Sequence, residues 1–127
     1  CHTGAESCFF HEVYLSPELK QFSWQGLYEL IKGRKTDPQE GSYTTYLFEK
    51  GKEKILKKVG EESTEMVIAA KNGVKDETVG EICDLIYHTL VMMANEGITP
   101  DDVDEELRKR AEKAGNLKKF HVVDKNS

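Results

Sequence analysis

The stretch VGEESTEMVIAA, residues 59–70, decides how this chain is read. Taken as a helix, Ile55, Val59, Met66 and Ala69 recur at helical spacing on one face. Glu62 falls on that same face, in its middle, with Glu61 and Glu65 beside it. Such a face ordinarily turns toward a core, where an ionised carboxylate is costly unless something cationic offsets it.

The same helix extends upstream through KEKILKK and is expected to end at Asn72-Gly73. A second long helix is predicted from about Asp76 to Asn95, carrying ETVGEICDLIYHTLVMMAN, with Gly97 stopping it. It bears Glu81 and Asp84, three residues apart and so on one face. Asp84 is flanked by Ile82, Cys83, Leu85 and Ile86, which leave little surface that is not apolar. A short Asn-Gly turn between the helices implies an antiparallel pair. Glu62 with Glu65 and Glu81 with Asp84 would then face each other across one groove. No Lys or Arg lies between Lys75 and Arg108 to neutralise them. A hard divalent cation suits the pattern, because Mg²⁺ takes carboxylate oxygens and keeps water and phosphate as its other ligands. A solvated charged face with interhelical salt bridges accounts better for a lone E-E-x-x-E than for both motifs together.

Outward from this pair, WQGLYELIKGRK places Trp24, Leu27, Tyr28 and Ile31 at spacings of three and four, a first helix. TDPQEG is a loop broken by Pro38 and Gly41, and Ser42 is an N-cap candidate for a helix starting YTTYLF. Gly51 marks a bend before the long helix. TPDDVDEELRKRAEKAG restarts a helix with Thr99 as N-cap and Pro100 at its first position. Asp101 and Asp102 occupy its first turn, where the helix dipole favours them. The tail NLKKFHVVDKNS reads as a frayed end or as one holding a short strand. The opening CHTGAESCFFHEVYL stands apart, with small residues and a strand-like run. The body is therefore expected to be all-α, a bundle of four to five helices with two long ones at its centre.

The chain has 127 residues, 38% apolar and 32% charged, with a formal net charge of −5. That suits a soluble helical domain with a short appended segment and argues against nonspecific nucleic-acid binding. No segment approaches the ~18 consecutive apolar residues of a membrane span, and no signal peptide is recognisable. Three cysteines, two of them in the first eight residues, argue against a disulfide framework and for a cytoplasmic protein. A start at Cys1 rather than Met is expected of a fragment or processed product. Leu90, Val91, Met92 and Met93 wrap around much of one helix, so part of that surface is expected to meet another subunit.

The pattern Glu61-Glu62-x-x-Glu65 followed by Glu81-x-x-Asp84 resembles the metal-binding signature of the all-α nucleoside-triphosphate pyrophosphohydrolases, which include MazG and dimeric dUTPases. SYTTYLFEKGKEKILKKVGEESTEMVIAAKN and the later EICDLIYHTLVMM are similar to the phosphoribosyl-ATP pyrophosphohydrolases of histidine biosynthesis, over roughly Trp24 to Arg110. CHTGAESCFF resembles the end of phosphoribosyl-AMP cyclohydrolases, in which such a segment supplies two zinc-ligating cysteines, here Cys1 and Cys8. The resemblance implies residues 1–22 as a cyclohydrolase stub with linker and residues 23–127 as a pyrophosphohydrolase domain. The third zinc cysteine and the rest of the cyclohydrolase are absent, so no cyclohydrolase activity is expected.

The resemblance further implies hydrolysis of phosphoribosyl-ATP to phosphoribosyl-AMP and pyrophosphate, and a homodimer or larger assembly. Mg²⁺ would be bound by Glu62, Glu65, Glu81 and Asp84. Glu61 stands with Glu62 as a catalytic candidate, either as a further ligand or to orient the attacking water. Lys57 and Lys58, one turn before the acidic cluster, are candidates for phosphate oxygens, as is Arg34. Ser42, Tyr43 and Thr44 could contact substrate, although capping accounts for Ser42. His88, one turn after Asp84, could touch substrate or metal, or be a satisfied core histidine. Two rivals remain: a dUTP or damaged-nucleotide pyrophosphatase of the same fold, and a non-enzymatic helical interaction module.

Overall fold

The computed structural model of the chain describes residues 22–116. The expectations for Cys1, Cys8, the strand-like opening run and the C-terminal tail lie outside the described residues. Within them are five helices and no strand: α1 (Trp24–Thr36), α2 (Tyr43–Lys50), α3 (Lys52–Asn72), α4 (Lys75–Glu96) and α5 (Pro100–Asn116). The chain divides after Gly97 into two compact units, the first holding α1 to α4 and the second α5.

The helices begin and end where local chemistry dictates. Ser23 Oγ accepts the Gly26 N–H at 2.9 Å, and Ser42 Oγ accepts the Thr45 N–H at 3.2 Å. Each such cap contributes about 1 kcal/mol. Gly51, at φ 93° and ψ −174°, is the only residue between α2 and α3 and donates its N–H to the Leu47 carbonyl at 3.0 Å. Gly73 closes α3 in the left-handed region at φ 77°, donating to the carbonyls of Ala69 and Ala70. Only Val74 then precedes α4, so the chain must double back and α4 runs antiparallel to α3. In the second unit, Thr99 Oγ1 accepts the Asp102 N–H at 3.1 Å while the Asp102 carboxylate accepts the Thr99 N–H at 2.9 Å. That reciprocal pair satisfies two donors at the start of α5.

The core of the first unit draws Leu27, Tyr28 and Ile31 from α1, Leu47 from α2 and Ile55 from α3. Tyr87, Leu90, Val91, Met93 and Ala94 complete it from α4. Leu47 and Val91 are fully buried, and each such side chain stabilises the fold by about 1.5–3 kcal/mol.

Trp24 shares the helical spacing of the α1 core residues yet remains 49% exposed. It is the first residue of its helix, and its ring meets Phe22 edge-on at 5.0 Å. Leu90, Val91 and Met93 are buried in the chain's own core, where α1 and α2 pack on α4, and Met92 is partly buried against it. The exposed apolar residues of α3 and α4 are instead Leu56, Val67, Ile68, Val79 and Ile82.

Candidate metal centre

On α3, Ile55 and Ala69 are buried and Glu62 between them has no exposure at all. The periodicity that made Glu62 anomalous in sequence therefore holds in three dimensions. The doubling-back at Gly73 sets α4 against α3 and brings Glu81 and Asp84 opposite Glu62. One carboxylate oxygen from each of the three lies within 4.8 Å of the others. Asp84 is 3% exposed. Three anions this close repel one another, and the little water around them screens the repulsion poorly.

A cation already stands beside them. Lys58 Nζ lies 3.4 Å from Glu62 Oε2 and 3.3 Å from Glu61 Oε1. The lysine is buried, whereas the Glu61 side chain is 43% exposed. α4 offers no lysine or arginine along the face; α3 supplies one from a single turn upstream.

Behind the carboxylates lies a buried polar chain. His88 Nδ1 donates to the Asp84 carbonyl at 2.7 Å, since a carbonyl can only accept. Nε2 therefore holds a lone pair and accepts from the Tyr43 hydroxyl at 2.9 Å. Burial holds the His88 pKa below its ordinary value. Burial also pushes the Tyr43 hydroxyl up to about 12, with Glu62 and Asp84 adding to the rise and Lys58 opposing it. Both groups are thus neutral at pH 7, the state their hydrogen bond requires. The Thr44 and Tyr87 hydroxyls are hydrogen-bonded to each other nearby, and the Tyr43 ring stacks on Tyr46 and Tyr87.

Residues 24–111 match the family model for phosphoribosyl-ATP pyrophosphohydrolase. The chain belongs to the phosphoribosyl-ATP pyrophosphohydrolase family. The chain is 56% identical over 92 residues to a phosphoribosyl-ATP pyrophosphatase of Clostridium acetobutylicum, covering 72% of this chain and 84% of that protein. It is 55% identical over 113 residues to a histidine biosynthesis bifunctional protein HisIE of Caldanaerobacter subterraneus subsp. tengcongensis, covering 89% of this chain. A HisIE protein of Lactococcus lactis is 46% identical over 122 residues, 96% of this chain. The chain spans about half the length of these bifunctional relatives, 55% and 57%.

Within this pyrophosphohydrolase domain, the structure sorts the residues singled out by sequence. Glu62, Glu81 and Asp84 come together. Glu65 lies outside that group of three and lines, with Asp76, Glu77 and Glu81, an adjoining cleft of about 410 Å³. Lys57 is exposed and Arg34 half-buried. Ser42 acts as the α2 cap, Thr44 is buried against Tyr87, and His88 is fully buried with both ring nitrogens engaged. The sequence reading did not pair Lys58 with Glu62. Its signal was the four-residue spacing of opposite charges on one helix, legible in KKVGEE. Nothing in the sequence pointed to the bond between Tyr43 and His88.

Proposed function

We propose that the chain hydrolyses phosphoribosyl-ATP to phosphoribosyl-AMP and pyrophosphate, a step of histidine biosynthesis, with Mg²⁺ held by Glu62, Glu81 and Asp84. One observation carries the metal reading: three carboxylates, two of them buried, converge within 4.8 Å on the paired helices of a family whose relatives are named for this activity. The donor set fits the ion. It is all oxygen and anionic, without histidine nitrogen or thiolate, which suits a hard cation.

When bound, the ion would offset the charge of a polyphosphate and lower the pKa of a coordinated water. The chain's own residues do the rest. Glu62 and Asp84 are set in packed helices, so their carboxylates arrive already oriented. His88 and Tyr43 brace α4 against the start of α2, one turn beyond Asp84. Glu65, in the adjoining cleft, serves as a further acidic ligand at the edge of the group. Exposed Lys57 and half-buried Arg34 are the cationic side chains proposed for phosphate oxygens.

The reading extends to the opening segment. The bifunctional relatives align over 113 to 122 residues and the stand-alone pyrophosphatase over 92, which supports residues 1–22 as the end of a cyclohydrolase domain. Cys1 and Cys8 would bind zinc only within an intact domain of that kind. Among the described residues no helix is long and apolar enough to cross a membrane, consistent with a cytoplasmic enzyme. A homodimer or larger homo-oligomer completes the proposal, and light scattering reads it directly.

The deciding assay is pyrophosphate release from phosphoribosyl-ATP beside dUTP and dCTP, with Mg²⁺ and with chelator. Preferred turnover of phosphoribosyl-ATP, abolished by chelation, is the expected result. Preferred turnover of dUTP overturns the substrate. Turnover indifferent to chelation overturns the metal.

A further inference from the structure

Lys58 sits between two carboxylates of opposite character. Its Nζ is 3.4 Å from Glu62, which is fully buried, and 3.3 Å from Glu61, whose side chain is 43% exposed. Glu62 belongs to the group of three converging carboxylates, and Glu61 does not. Resting on the metal reading above, we propose that Lys58 is a resident counter-ion shared by Glu62 and Glu61 while the carboxylates hold no divalent cation, and held by Glu61 alone once they do.

The physical need is plain. A buried carboxylate among two others requires a positive neighbour whenever the metal is away. A lysine with a single buried partner would itself be stranded when a metal took that partner. Here the second acceptor is already in contact from the outer side of the same helix, so the ammonium can release Glu62 to a metal and still keep a partner. The flexible four-carbon stem of lysine allows this by side-chain rotation alone, with no movement of α3. Glu61 then has a defined task. It is a positioning residue acting through Lys58, neither a ligand of the metal nor a base.

Mn²⁺ titration of the chain by calorimetry tests the exchange in four versions: wild type, Lys58→Met, Glu61→Gln and the double variant. Removing the competing ammonium should tighten Mn²⁺ binding by roughly tenfold in Lys58→Met. Glu61→Gln removes the second partner, so it should weaken binding in the wild-type background and have no effect in the Lys58→Met background. Equal weakening in both backgrounds means Glu61 touches the metal, and overturns the proposal. So does a Lys58→Met chain that binds Mn²⁺ no tighter than wild type. A wild type that binds no Mn²⁺ overturns the metal reading as well, which separates the two failures. Should Lys58→Met not fold, a crystal structure of the wild type with Mn²⁺ decides: Nζ on Glu61 alone supports the exchange, and Nζ still on Glu62 overturns it.

Discussion

The Tyr43 hydroxyl donates to His88 Nε2 at 2.9 Å, joining the first residue of α2 to the middle of α4 across 45 positions of sequence. The same ring spends its other nitrogen on the carbonyl of Asp84. Local helix geometry and a long-range contact therefore meet in one side chain, a turn away from a proposed metal ligand.

Tyr43→Phe keeps the ring stacking but leaves Nε2 a buried acceptor with no hydroxyl. An unmet buried polar group costs about 1–3 kcal/mol. Urea denaturation of the metal-free chain should show a loss of that size. A variant as stable as wild type would mean that water replaces the hydroxyl.

The burial of His88 makes stability fall with acid. In the unfolded chain its imidazole takes a proton near its ordinary value of 6.5; in the folded chain that value is lower. Protons thus bind the unfolded state preferentially. The contribution of His88 is fully present above about pH 6.5, is lost progressively as pH falls below it, and levels off beneath the folded value. Melting temperature against pH, in chelator, reads this slope. His88→Gln should start from a lower stability and lose the slope between about pH 7 and 5.

Glu62→Gln and Asp84→Asn preserve shape and remove charge. Groups that merely support metal ligands typically cost 10–100-fold when lost, so loss of a ligand should lower turnover by about 100-fold or more. Each variant should also abolish the rise in melting temperature that Mg²⁺ gives the wild type. Retention of that rise in both would remove the carboxylate group from metal binding.

The glycines around α3 are not equivalent. Gly73 lies in the left-handed region, which other residues enter at moderate cost, whereas Gly51, at φ 93° and ψ −174°, occupies a region almost confined to glycine. Neither has a neighbour that a Cβ would strike, so the cost is backbone strain alone. Gly51→Ala should destabilise by about 1–3 kcal/mol. Gly73→Ala should cost about 1 kcal/mol. Thermal denaturation of the two variants side by side checks the order.

Much of this fold was legible because its boundaries are written locally. Ser42, Thr99, Gly73 and Gly97 end or begin helices through bonds to residues three or four positions away, and such signals survive in one dimension. Glu62 was legible for a related reason: burial follows helical phase, so a charge in phase with Ile55 and Ala69 announces itself. The exposure of Trp24 was not legible, because phase says which way a residue points and not whether the neighbouring helix reaches that far. How much of Leu90, Val91 and Met93 the chain buries by itself was not legible, because the sequence does not say how many helices converge on α4. Which of the four acidic side chains bring an oxygen into the common group depends on side-chain placement that helical spacing does not encode. The tie between Tyr43 and His88 depends on where α2 docks, and no spacing rule encodes that.

The three converging carboxylates all come from α3 and α4, which are joined by two residues. The only chain closure needed to assemble them is this hairpin. Short loops close at small entropic cost, and contacts between near neighbours in sequence form early. The centre is therefore expected to take shape as soon as the hairpin zips, ahead of the docking of α1 and α2, so that a divalent cation present during folding has a partner before the rest of the domain is complete.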